Sequence, residues 1–275
     1  MNRNEWNTKI QDVEAGFEPY LPKEEGYART VLEAMNYSVR AGGKRLRPIF
    51  MYETYQMMGG EDEGVIRPFM MAMEMIHTYS LIHDDLPAMD NDALRRGKPT
   101  NHRVFGENMA ILAGDGLLNM AYETMLGSSF ALEHPDRALR AAAEIARRAG
   151  VCGMIAGQIM DVKLEGHTPT KESVAYIHRH KTGDLLTAPL TAGLMLAGAS
   201  EEQLNAGRAY GEGVGLAFQI IDDLLDVEGD AAQMGKETGM DAQRGKMTWP
   251  AVHGVQQSRE DAKAAIARAQ AAMEI

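Results

Sequence analysis

The chain has one cysteine, Cys152, only six phenylalanines and two tryptophans, and no apolar run long enough to span a bilayer. Each shortage removes a class of protein. A lone cysteine cannot close an internal disulfide, and no Cys/His spacing suggests a zinc site, so the chain reads as a resident of the reducing cytoplasm. The most apolar stretch, Leu185 to Ala199, is interrupted by Pro189, two threonines and two glycines. It falls short of the roughly 20 residues that a membrane span needs. The first residues, MNRNEWNTKIQDVE, are polar where an export signal would be apolar. Positive charge is also scarce, with 28 Lys and Arg against 39 Asp and Glu and a net charge of −11. That balance argues against a general surface for nucleic acid or anionic membrane, so any bound anion must meet a local basic patch.

What is present points to helices. Twenty methionines with few aromatics suit an adaptable helical core better than a sheet. Apolar residues recur at helical spacing, as in Val65, Phe69, Met73, Ile76, Ser80 and His83, a stripe that turns polar only as it reaches Asp84. Breaks are predicted at Pro22, Gly42-Gly43, Gly59-Gly60, Pro87, His134-Pro135, Gly166 to Pro169, Gly198 and the glycine-rich stretch from Gly229 to Gly245. The pattern predicts an all-α, single-domain bundle of about ten helices over residues 1–275, with no repeat or low-complexity linker.

Two aspartate clusters carry the chemistry. In DDLLD, at 222 to 226, Asp222 and Asp226 are four apart and share a helix face, where two like charges repel unless a cation lies between them. The apolar GLAFQII before them is unlike an ordinary solvated face. In DDLPAMD, at 84 to 90, Asp84 and Asp90 are six apart and would point about 240° from each other on a regular helix. Pro87 cannot continue the helical hydrogen bonds and restricts Leu86 before it, so the helix should end there and let Asp90 return beside Asp84. Mg²⁺ suits such sites, because it bridges one or two carboxylates to substrate phosphates while keeping several waters. The loop spacing of an EF-hand is absent.

Cations recur beside these clusters. AGGKRLRP at 41 to 48 places Lys44, Arg45 and Arg47 after a glycine turn, and LRRGKPTNH at 94 to 102 puts Arg95 and Arg96 soon after Asp90. HRHKTGD at 178 to 184 adds Lys181, and GKETGMDAQRGKMTWP at 235 to 250 adds Lys236 and Lys246. Such residues share the charge of a metal-bridged diphosphate, and glycine turns let backbone amides approach phosphate oxygens.

Six motifs in order, AGGKRLRP, EMIHTYSLIHDD, DDLPAMDND, HRHKTG, FQIIDDLLD and GKETGMDAQRGK, resemble the bacterial short-chain trans-prenyl diphosphate synthases of the farnesyl diphosphate synthase type, from about residue 27 to 255. The resemblance implies a helical bundle around a deep central cavity, the isoprenoid synthase fold, usually as a homodimer. It implies an enzyme that condenses isopentenyl diphosphate with an allylic diphosphate and releases diphosphate. It further implies three Mg²⁺ ions joined to Asp84, Asp90 and Asp222, with Asp85 and Asp226 orienting ligands or waters. Lys44, Arg47, His77 and Arg96 would take isopentenyl diphosphate, and Arg95, Lys181 and Lys236 the allylic diphosphate. Thr182 and Gln219 would sit near the developing cation, Gln158 and Asp161 match a further family motif, and Lys246 is a weaker candidate. His77, seven residues before Asp84, lies on nearly the same helix face.

Chain length is addressed by Tyr79, five residues before Asp84 and so about 7.5 Å along the helix, where a growing tail would meet it. In the resembling enzymes an aromatic there accompanies a C15 product, with Ser80 as the smaller neighbour. Three departures stand out: Ala93 where an aspartate is common, Ala156 in place of a frequent glycine, and an end at AAMEI where the family continues for a short helix, which reads as a truncation. A terpene cyclase would share the fold, but the set Lys44, Arg47 and Arg96 would be superfluous to it. A non-catalytic subunit would be expected to lose an aspartate motif.

Overall fold

A computed structural model describes residues 3–228 and 245–274, and they fold almost entirely as helix. By their internal contacts they form two compact units, residues 3–142 with 195–197, and residues 143–194 with 198–228 and 245–274.

The first unit is built around α4, Glu63–Asp84, with α1 (Arg3–Ala15), α2 (Arg29–Val39), α3 (Leu46–Met57), α5 (Asn101–Phe105), α6 (Glu107–Leu126) and α7 (Ser129–Glu133). Asp62 starts α4 by accepting the Gly64 amide at 2.8 Å, satisfying one of the donors that a helix start leaves open. The apolar stripe underestimates this helix. From Phe69 to Ile76 every residue is buried, so α4 is a central helix with no solvated face. It packs on α2, α3 and α6, and Phe69 is fully enclosed, so Phe69→Ala should cost about 3–5 kcal/mol. Close approach of α6 relies on its small residues: a Cβ on Gly114 would overlap the His83 ring, and one on Gly116 would press on the Met35 sulfur.

Between α4 and α5 lies a hairpin that the sequence did not announce, with β1 (Leu94–Arg95) antiparallel to β2 (Lys98–Pro99) and Arg95 opposite Lys98. Arg96 and Gly97 form its turn, both at positive φ (54° and 75°), as the mirror-image two-residue turn requires. The turn puts Arg96 at the hairpin tip.

The second unit contains α9 (Met154–Leu164), α10 (Lys171–Ile177), most of α11 (Asp184–Ala197), α12 (Glu201–Glu228), α13 (Trp249–His253) and α14 (Val255–Ala271); α8 (Pro135–Ala149) begins at the predicted proline break. Between α10 and α11 the helix widens into a π-helical turn over His178–Gly183, which is the motif HRHKTG itself. Three glycines four apart on α12 allow close packing: a Cβ on Gly211 would stand 2.9 Å from the Thr187 Cα, one on Gly215 2.7 Å from the Gly183 Cα, and one on Gly207 would overlap Leu194. From the other side Gly157 of α9 abuts the Lys181 backbone, where an added Cβ has no room. Val174, Ile177, Ile220, Leu224, Met247 and Trp249 form the core beneath. Among the described residues no helix is long and apolar enough to cross a membrane.

Candidate active site

Helix α4 ends at Asp84 and the chain turns back at once. The Asp90 amide donates to the Asp84 carbonyl at 2.9 Å, and the Asn91 amide to that of Leu86 at 3.1 Å, with Asn91 at φ 51°. The return expected from Pro87 is therefore present, although the helix stops three residues ahead of the proline. Asp85 takes another direction. It is buried, and Arg95 reaches it through Nε at 3.0 Å and through Nη2, while Nη2 also donates to Asp92 at 3.2 Å. Burial raises the Asp85 carboxyl to about 6 despite the nearby guanidinium, because the apolar surroundings disfavour its charge. Arg95, assigned by resemblance to the allylic diphosphate, is thus anchored to the acidic turn.

Behind this turn lies a cluster with more cations than carboxylates. Arg45, left-handed at φ 48° before α3, is buried and pairs with Glu74 at 2.7 Å, Glu14 at 3.2 Å and the Val39 carbonyl at 2.7 Å, over the ring of Phe17. Arg96 donates to the Gly42 carbonyl and lies 3.9 Å from the same Glu74. Arg47 is drawn down to about 10 by loss of hydration and by Arg96, with Glu74 opposing, and its Nε is buried without a protein partner among the described residues. His77 is held well below its ordinary value by burial and then by Arg47, Arg96, Arg95 and Arg45, so it is neutral at pH 7. Its Nδ1 also lacks a partner among the described residues. Two carboxylates, Glu74 and the more exposed Glu14, thus serve the three guanidiniums of Arg45, Arg47 and Arg96. That arrangement favours an anion beside Arg47 and Arg96. Lys44 beside them is exposed.

The second unit holds the other motifs. Lys181 donates to Asp161 at 2.6 Å and Lys246 to the same oxygen at 3.2 Å. Burial would raise the Asp161 carboxyl, but the two ammonium groups hold it below the usual range. Asp161 thereby fixes both lysines, a role its match to a family motif did not specify. Thr182 donates to the Gln219 carbonyl at 2.7 Å, and the Gln219 amide nitrogen donates to Asp223 at 2.9 Å. Helix α12 runs unbroken through Asp222 and Asp226, so the i, i+4 spacing holds. Asp223, which sequence reasoning left without a role, is buried and also accepts the Trp249 amide at 2.7 Å. Its only sequence signal is the Gln219 four residues before it. Lys236 lies outside the described residues, as does most of the predicted glycine-rich break.

Tyr79 is buried, meets His83 edge-on with ring centres 5.8 Å apart, and is pushed up to about 12 by burial. His83 bonds the Ile111 carbonyl at 3.0 Å. Ser80 donates to the His77 carbonyl at 2.8 Å.

Among the described residues no three His, Cys, Asp or Glu side chains converge to cage an ion. The donor set is all oxygen, and the return at Asp84 and Asp90 brings two aspartates together. This fits Mg²⁺ shared between one or two carboxylates, waters and a substrate diphosphate.

An all-helical fold with two aspartate motifs and separate cationic clusters defines the class of isoprenoid synthases. The polyprenyl synthetase profile matches residues 28–274, and the chain belongs to that family. It is 46% identical over 254 residues to a farnesyl diphosphate synthase of Geobacillus stearothermophilus, covering 92% of this chain and 85% of the other. It is 45% identical over 258 residues to a chloroplastic geranylgeranyl pyrophosphate synthase 3 of Arabidopsis thaliana, covering 93% and 71%. Among solved structures it matches a geranylgeranyl pyrophosphate synthetase from Pyrococcus horikoshii with a TM-score of 0.88 at 30% identity, covering 99% and 91%. An FPP/GFPP synthase from Zymomonas mobilis matches at 0.86 and 34%, covering 98% and 91%. The chain is a prenyltransferase of isoprenoid biosynthesis, and its relatives include both farnesyl diphosphate and geranylgeranyl pyrophosphate synthases.

Proposed function

We propose that the chain condenses isopentenyl diphosphate head to tail with dimethylallyl or geranyl diphosphate and makes chiefly farnesyl diphosphate. The observation that carries this reading is the cation surplus around Glu74, where Arg47 keeps a buried Nε without a protein partner among the described residues. A diphosphate bound there needs no metal, as suits isopentenyl diphosphate at Arg47, Arg96, Lys44 and the neutral His77. Asp84, Asp90 and Asp222 serve the allylic diphosphate through Mg²⁺, three ions in all. When bound, the metal neutralises the departing diphosphate as a Lewis acid.

The chain's own residues do the rest. Lys181, fixed by Asp161, and Lys236 share the leaving group's charge, Asp85 holds Arg95 at the acidic turn, and Asp226 orients ligands or waters. Thr182 and the Gln219 carbonyl face the developing allylic cation. The catalysis is electrostatic preorganisation with water excluded, and no protein nucleophile is required. Tyr79 limits the tail. We take the working form to be a homodimer in the cytoplasm.

A second reading, a C20 product, is favoured by the identity to geranylgeranyl synthases. Incubation of the purified chain with Mg²⁺, isopentenyl diphosphate and geranyl diphosphate tests both. A C15 product supports the proposal and a C20 product the second reading. Diphosphate release from the allylic substrate alone would indicate a cyclase and overturn both, as would no turnover.

A further inference from the structure

Gln219 has two chemically opposite ends. Only its carbonyl oxygen can stabilise positive charge, and only its amide nitrogen can donate. Thr182 Oγ1 lies 2.7 Å from Oε1, and Asp223 Oδ1 lies 2.9 Å from Nε2. A hydroxyl can donate or accept, so Thr182 by itself does not decide which end faces it. Asp223 decides, because a carboxylate only accepts and must therefore meet the nitrogen.

The other contacts of Asp223 confirm its role as acceptor. Its Oδ2 accepts the Trp249 amide at 2.7 Å and lies 3.1 Å from His178 Nε2. Asp223, His178 and Trp249 are all buried, and the Trp249 ring is stacked between those of His178 and His253 at 5.5 and 4.7 Å. Asp223 is thus engaged from three sides within its own unit.

We propose that Asp223 is a positioning residue that sets the orientation of the Gln219 amide, holding the nitrogen away and the carbonyl, with its second lone pair, toward the reacting centre. The inference rests on the proposed prenyl transfer and on Gln219 facing the allylic cation. It assigns the second aspartate of DDLLD to a task apart from metal binding.

The test is a double-mutant cycle on the full chain, with kcat, both KM values and the Mg²⁺ half-saturation measured for each variant. Asp223→Asn frees the amide to turn, so kcat should fall roughly 10- to 100-fold, as for a lost outer-shell partner. Both KM values and the Mg²⁺ requirement should stay within about twofold of wild type. Glu at 219 has oxygens at both ends, so D223N/Q219E should recover at least about tenfold over D223N alone. Q219E alone should be impaired, since it sets two carboxylates where the 2.9 Å bond now lies.

This reversal of sign between backgrounds is what a merely structural aspartate would not produce. A D223N enzyme rescued by excess Mg²⁺ would overturn the inference, as would equal loss from Q219E in both backgrounds. Should D223N fail to fold by circular dichroism, Q219E in the wild-type background carries the test, because it sets a carboxylate against Asp223: kcat should fall with the Mg²⁺ requirement unchanged, and an unaltered kcat there sinks the idea. Failure of the wild-type chain to form any prenyl diphosphate would instead refute the underlying reading.

Discussion

Gly43 and Arg96 are packed so closely that a Cβ on the glycine would stand 2.6 Å from the guanidinium carbon, and Gly43 itself sits at φ 136°. The absence of a side chain at residue 43 is therefore part of what places Arg96. Gly43→Ala should displace the guanidinium and strain the backbone, costing about 1–3 kcal/mol. KM for isopentenyl diphosphate should rise roughly tenfold, as each ~1.4 kcal/mol of lost binding implies. KM for the allylic substrate should be little changed. Steady-state kinetics with each substrate varied in turn would separate the two.

Tyr79→Ala removes an aromatic wedged against His83. Product length should shift from C15 toward C20 and beyond, read by chromatography of dephosphorylated products from labelled isopentenyl diphosphate. An unchanged distribution would remove Tyr79 from its role as a cap.

The neutral His77 predicts a pH dependence of stability. Its folded value is depressed, so below about 6.5 the unfolded chain takes up a proton that the native site refuses. Its contribution is fully present above that pH and is lost as pH falls, by at most about 1.4 kcal/mol per pH unit. In denaturant titrations from pH 7.5 to 5, His77→Phe should show a shallower decline by one proton's worth. Equal slopes would mean that His77 titrates normally.

Asp161→Asn leaves Lys181 and Lys246, now held on one oxygen at 2.6 and 3.2 Å, without their shared carboxylate. The ammonium groups should separate. The expected result is an allylic KM raised roughly tenfold, on the same conversion of binding energy to affinity, with the isopentenyl KM unchanged. Asp161→Glu should recover part of the loss.

Legibility differed by kind of signal. The Asp222 and Asp226 pairing follows from helical period alone, and the return of Asp90 follows from one proline, so both were readable. The hairpin at 94 to 99 was not, because two-residue strands carry no alternation; only the Arg96-Gly97 pair hinted at a turn. Short helices such as α5, α7 and α13 fall below the length at which periodicity speaks. The burial of α4 on all sides exceeded its stripe, because methionines at 70, 71, 73 and 75 fill positions that a stripe leaves open. The role of Asp223 depended on Trp249, 26 residues away, and the sharing of Asp161 on Lys246, 85 away. Spacing does not report such meetings.

The π-helical turn at His178–Gly183 holds one residue more than an α-helix would need. At the level of the gene, that makes the segment unusually sensitive to a change of one codon. Loss of one codon within it would let the chain run on as ordinary α-helix with the helices on either side still nearly in phase, while the widened turn that presents its own side chains is lost. Lys181 and Thr182 would then no longer meet Asp161 and Gln219, although helix content would scarcely change. Such an allele would yield a protein that looks helical by spectroscopy and does no chemistry, a lesion that substitution scanning at the same six positions would never reproduce.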